Sequence, residues 1–326
     1  MTGPRQRALD LSERLASLPP EKRALFEQLM KGVDGGAASR RVPAAAPVTE
    51  APARVDIHRA DVVVREDRKG TMKAFYDRVN RNLDTTAFSA HAVFLNFGYV
   101  ANERPQAAAV PLPRFCLNKN CQKLILEVIA DVDLTGLDVL DVGCGRGGTA
   151  AALRTYYAPR RVVGVDLCAA AVAFCGRTHV WPRTHFVNGD AESLPVADAS
   201  VDVVTNIESS HSYPRIASFY AEVARVLRPG GYFLYTDLLP IESIDPCLQQ
   251  LAACGMRLVD RRDITSNVLL SCDETAGTHL AAFEGDHDAD VMGDFLALPG
   301  SKTYDDMTSG RSRYEIFKLQ KARGGL

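Results

Sequence analysis

The run VLDVGCGRGG at positions 139–148 constrains this chain more than any other feature. An apolar, strand-like stretch enters a turn with glycines at 143, 145, 147 and 148, and the chain then continues into 149–157, a segment of helical composition. Strand, glycine turn and helix in that order open a parallel α/β unit. Glycines allow the tight turn and let the backbone approach a ligand closely. The helix N-terminus beyond them directs amide dipoles at that ligand.

The pattern continues downstream. Apolar runs at 137–142, 161–167, 185–188, 201–207 and 232–238 read as strands. Helical segments at 169–180 and 216–227 fall between them. Alternation of this kind predicts parallel pairing with right-handed crossovers. Near-continuous apolar strands such as VDVVTNI suit a sheet covered on both faces. Acids stand at three successive strand ends: Asp141, Asp166 and Asp190. One alone reads as a helix cap. Three together read as a site at the point where an open sheet reverses its winding.

A dinucleotide fold uses the same glycine turn to hold a pyrophosphate. Asp141 argues against that, because a carboxylate ahead of the first glycine repels a phosphate. It suits a cationic ligand, such as the amino group of a methionine moiety. Asp166 is placed to accept both hydroxyls of a ribose, and Asp190 to bond an adenine amine. Gly143, Gly145, Gly147, Leu167, Ala191, Asn206 and Tyr99 are assigned to the same binding site.

With 326 residues, the chain is long enough for one large domain and an appendage. Residues 9–31 read as helical, broken at Pro19 and Pro20, and are followed by an Ala-, Pro- and Gly-rich tether. The expected organisation is a helical appendage at 1–33, a linker at 34–55 and a globular domain at 56–326. Lid helices are expected at about 56–130, and an insertion at about 273–313, before a last strand at 314–319. Tyr76 and Asn96 are among the residues expected to wall the substrate site, together with that insertion. The net charge of −2 gives no footprint for nucleic acid or an anionic membrane surface. No apolar run approaches a membrane span, and the N-terminus lacks a signal-type apolar core, so a cytoplasmic location is expected. None of the eight cysteines forms a C-x-x-C pair, and they are expected to be free thiols. No metal site is expected.

These motifs resemble those of the class I S-adenosylmethionine-dependent methyltransferases. VLDVGCGRGG is similar to their first motif, GVDL to their ribose-binding acid, GDAESLP to their adenine-side motif, and LRPGG at 227–231 to the turn before their fifth strand. The resemblance implies a Rossmann-like α/β fold with a seven-stranded, mostly parallel sheet, and S-adenosyl-L-methionine as cofactor. GDAESLPVADASVDVVTNIESSHSYP and FYAEVARVLRPGGYFLYTDL further resemble the O-methyltransferases of phthiotriol-type lipids and related polyketide tailoring enzymes. That implies O-methylation of a hydroxyl on a polyketide- or lipid-like molecule. LSERLASLPPEKRALFEQL, in the appendage, is similar to short segments between modules of polyketide and nonribosomal peptide synthases. It hints at a carrier-protein or synthase partner.

In this topology the fourth strand lies beside the first, so its end at 206–213, NIESSHSY, faces the transferable methyl. An aliphatic hydroxyl is a poor nucleophile and benefits from a base near neutral pKa. His211 is the best placed. Glu208 and Asp237 are the candidates to orient its imidazole, and the sequence does not choose between them. C- or N-methylation of a similar scaffold, and a docking module that has lost catalysis, are the competing readings. The intact glycine motif with Asp166 and Asp190 disfavours the second.

Overall fold

The computed structural model describes residues 67–84, 89, 92–102, 110–113, 116–282 and 289–323. The expected appendage at 1–33 and linker at 34–55 lie outside these residues.

Seven strands form one sheet: β1 Asp138–Val142, β2 Arg161–Asp166, β3 Thr184–Asn188, β4 Val201–Ile207, β5 Leu227–Pro240, β6 Met256–Asp263 and β7 Ser312–Lys321. Their order across the sheet is β3-β2-β1-β4-β5-β7-β6. The first five pair in parallel, while β7 runs antiparallel to both β5 and β6. The crossovers use α3 Gly148–Tyr156, α4 Ala169–Thr178 and α5 Ile216–Val226. Beyond them lie α6 Ile241–Ala253, α7 Thr265–Ala282, α8 Ala289–Phe295 and α9 Lys302–Thr308. Before the sheet come α1 Asp67–Asp84 and α2 Lys119–Ile129.

The strand composition explains the layering. Every residue of β1 is buried, because helices cover both faces. On one face, Leu124, Ile125 and Val128 of α2 pack with Val139, Val203 and Leu234. On the other, Phe219, Tyr220 and Val223 of α5 pack with Leu140, Val204 and Phe233. Each such side chain contributes about 1.5–3 kcal/mol when fully buried. A third, smaller cluster joins Met72, Val79 and Leu83 of α1 to Met292 and Phe295 of α8. Because β1 lies between β2 and β4, the connections leave it in opposite directions. A crevice therefore opens at the C-terminal ends of the strands.

Several elements differ from expectation. The fifth strand is longer than 232–238, since LRPGG is itself extended and Leu227 pairs with Val201. Strand β6 was not anticipated: MRLVDRRD carries charge along an exposed sheet edge, which hides the alternation expected of a strand. Residues 92–102 continue the spacing of α1 in sequence but have no helix. The eight cysteines are free thiols.

Candidate active site

The crevice is a cavity of about 1240 Å³, counted to its open mouth. The strand ends form its floor, while Tyr76 of α1, Phe94, Leu95 and Phe295 of α8 form a largely apolar cover.

The glycine loop shapes one end. Gly143 has φ +70°, and a Cβ there would lie 1.9 Å from Ser209 Oγ. Gly147 has φ +80°, and its Cβ would meet the His179 ring at 2.5 Å. Both positions thus require glycine for conformation and for space. Gly143 and Gly145 line the cavity, whereas Gly147 faces His179 instead. Asp166 ends β2 at the cavity wall, accepting from Gly145 N and Cys168 N at 2.8 Å each. Burial pushes its pKa up. Asp190 and the neighbouring Leu167 and Ala191 also line this end.

Asp141 lies one layer deeper. Thr205 Oγ1 donates to its Oδ1 at 2.8 Å, while its buried Oδ2 has no hydrogen-bond partner. Burial, with the Asp166 charge nearby, pushes its carboxyl up to about 7. Asp141 therefore lies under the loop and is not among the residues that line the cavity. Two other expected binding residues are also internal. Asn206 is fully buried, donating to Val142 O at 2.8 Å and Tyr213 OH at 3.1 Å. Tyr99 is 2% exposed and packs in the core. Neither is among the residues that line the cavity.

Arg146 was missed by sequence reasoning, although it stands inside the glycine motif. It is among the residues that line the cavity, and its side chain is fully buried. It donates to Ala92 O at 2.6 Å, Asp84 Oδ1 at 2.8 Å and Asn80 Oδ1 at 3.3 Å, and lies 3.5 Å above the Phe174 ring. Lys69, on α1, pairs with Asp190 at 2.6 Å and with Glu192. One motif arginine and one helix lysine thus tie the cover to the cofactor end. Nothing in the local sequence marks Lys69 for this.

Beside the glycine loop, where Ser209 lies against Gly143, β4 passes into a 3₁₀ turn, Ser210–Ser212. His211 lines the cavity, and its Nδ1 donates to Asp237 Oδ1 at 2.7 Å. Asp237 is fully buried and also accepts from Ser210 Oγ at 2.5 Å and His211 N at 3.0 Å. Burial alone would lower the imidazole pKa, but the Asp237 carboxylate and, less, Glu208 raise it on balance. Asp237 is itself held below the usual carboxylate range despite its burial, chiefly by His211. Asp237 is therefore the acid that orients the imidazole. Glu208, the other candidate, has its Oε2 bonded by Phe97 N at 2.9 Å and by Tyr314 OH. Burial pushes its carboxyl up to about 8.

The family model described as "Methyltransferase domain" matches residues 140–235. A fatty-acid O-methyltransferase of Mycolicibacterium smegmatis is 36% identical over 235 residues, covering 70% of this chain and 83% of that protein. The phthiotriol/phenolphthiotriol dimycocerosates methyltransferase of Mycobacterium leprae is 38% identical over 238 residues, covering 70% and 85%. Among solved structures, the [4+2]-cyclase SpnF superposes with a TM-score of 0.61 at 22% identity, over 77% of this chain and 95% of that one. The cyclopropane synthase MmaA2 of Mycobacterium tuberculosis does so with a TM-score of 0.54 at 17% identity, over 76% and 98%. These superpositions establish the fold, and the sequence relatives establish more. The chain belongs to the S-adenosylmethionine-dependent methyltransferases.

Proposed function

We propose that the protein is an O-methyltransferase acting on a hydroxyl of a lipid- or polyketide-like molecule, with His211 as general base. The observation that carries this reading is the buried His211–Asp237 pair on the cavity wall. The residues around the glycine loop fit the cofactor. The Asp166 carboxylate on the cavity wall, with the unpaired Oδ2 of Asp141 buried one layer beneath the loop, favours a cation over a phosphate. Asp166 would hold the ribose, Asp190, Leu167 and Ala191 the adenine side, and Gly143 and Gly145 the backbone approach. When bound, S-adenosylmethionine supplies a methyl group already activated on a sulfonium.

The chain's own task is then positioning and proton removal. Asp237 fixes the tautomer with the proton on Nδ1, which leaves Nε2 as the basic atom. The substrate hydroxyl gives its proton to Nε2, and the ion pair with Asp237 stabilises the imidazolium that results. The cover over the cavity keeps water from competing.

The name of the first relative above raises a carboxyl acceptor as the rival. A fatty acid is ionised at neutral pH and needs no base, so the dyad would have no purpose. The lysines that line the cavity are already engaged, Lys69 with Asp190 and Glu192 and Lys73 with Asp77. The test offers labelled cofactor with a long-chain secondary alcohol and with a fatty acid of equal length. Label in the ether supports the proposal, and label in the ester alone overturns it.

A further inference from the structure

Glu208 has a conformation and a set of contacts that the base chemistry does not require. It holds φ +52°, in the left-handed region that costs a non-glycine residue free energy. Glycine would fit there without strain, so the carboxylate is held at this point against the preference of its own backbone. Phe97 N and Tyr314 OH both bond the same oxygen, Oε2. They come from the cover segment and from β7, far away in sequence, and they clamp the side chain in one orientation. Oε1 has no hydrogen-bond partner among the described residues, and it is not one of the buried unpaired atoms. Glu208 lines the same cavity as His211, close enough to bias its charge. A clamped carboxyl on the cavity wall beside the base, with one oxygen left unbonded among the described residues, is placed to act as a recognition group.

We propose that Glu208 is a specificity residue that hydrogen-bonds a second hydroxyl of the acceptor, a few bonds from the hydroxyl whose proton His211 takes. The substrate class is thus narrowed from a monohydric lipid alcohol to a lipid- or polyketide-like diol. A hydroxyl suits Oε1 in either protonation state of the acid, because it both donates and accepts. A ketone or ether oxygen bonds only the protonated acid, and a carboxylate is repelled by the ionised one. This inference rests on the O-methyltransferase reading above.

The test compares kcat/KM of the wild-type protein for a long-chain 1,3-diol and for a mono-alcohol of equal length. The diol should be favoured by about 10- to 100-fold, the range for a hydrogen bond to a buried ionisable group. In Glu208→Met, which fills the space without a polar end, the ratio should fall to near one. In Glu208→Gln, whose amide oxygen keeps the bonds from Phe97 and Tyr314 and whose NH2 still reaches the second hydroxyl, most of the preference should return. A merely structural glutamate would lower turnover of both alcohols together and leave the ratio intact, which overturns the proposal. A wild-type ratio near one overturns it without any variant having to fold. In both cases the mono-alcohol is still methylated, so the O-methyltransferase reading stands. Methylation of neither alcohol overturns both.

Discussion

His211 gains its character from Asp237, a residue 26 positions away. The pairing follows from sheet register: Ile207 lies against Thr236, so the ends of β4 and β5 emerge together. A lone buried imidazole would be less basic than usual, whereas this one is more basic because its partner carboxylate is equally dry. Asp237→Asn should keep the fold, allow the wrong tautomer and reduce turnover by about 10²-fold or more. Stopped-time product assays at saturating cofactor check this, and near-normal turnover would remove Asp237 from the mechanism. Asp166→Ala should weaken cofactor binding by about 10- to 1,000-fold in a calorimetric titration. Unchanged affinity would end its assignment to the ribose. At this scale much was legible. Asp166, Asp190 and His211 announce themselves by standing at strand ends. The choice between Glu208 and Asp237 did not, because it depends on which neighbouring strand and which cover segment face each acid. The depth of Asp141 was not legible either, because it is set by the pairing of β1 with β4, where Thr205 bonds its carboxylate.

The cover is attached to the glycine motif by Arg146, whose five nitrogen-to-acceptor contacts link the glycine loop to α1 and to the stretch after it. A buried guanidinium with several acceptors is costly to remove, because each acceptor is left unpaired. Arg146→Met should therefore cost about 2–4 kcal/mol of stability, discounted for the half-exposed Asp84. It should also raise the KM for cofactor, since the loop loses its anchor. A thermal melt and a cofactor titration read the two effects, and a variant with both unchanged would show the contact to be idle. The parallel elements were readable from their apolar runs. Strand β6 and the irregular stretch 92–102 were not. The first is exposed and charged, and the second has helix-like spacing while its backbone is bonded elsewhere, Tyr99 N to Asn120 O and Val100 N to Asn267 O.

For the molecule as a whole, the residues proposed to hold the cofactor and move the proton lie between 141 and 237, and the Ala/Pro-rich tether predicts that what precedes it acts separately. A chain beginning at Asp56 should keep its thermal midpoint and its turnover of a free acceptor. A loss of either would show that residues 1–55 complete the domain. If those residues dock on a synthase, the shortened chain should be slower only with carrier-bound acceptors. In the proposed reaction the folded chain brings an activated methyl, an acceptor hydroxyl and a carboxylate-supported base into one cavity. The pH dependence of methyl transfer to a long-chain alcohol, in wild type and in His211→Ala at saturating cofactor, tests this most directly. The base works only when deprotonated, and its pKa is raised, so wild-type activity should climb along a limb above the ordinary value of about 6.5. The variant should be folded, bind cofactor, turn over about 10²- to 10⁴-fold more slowly and lack that limb. A folded variant with the wild-type rate and the same limb would contradict the account.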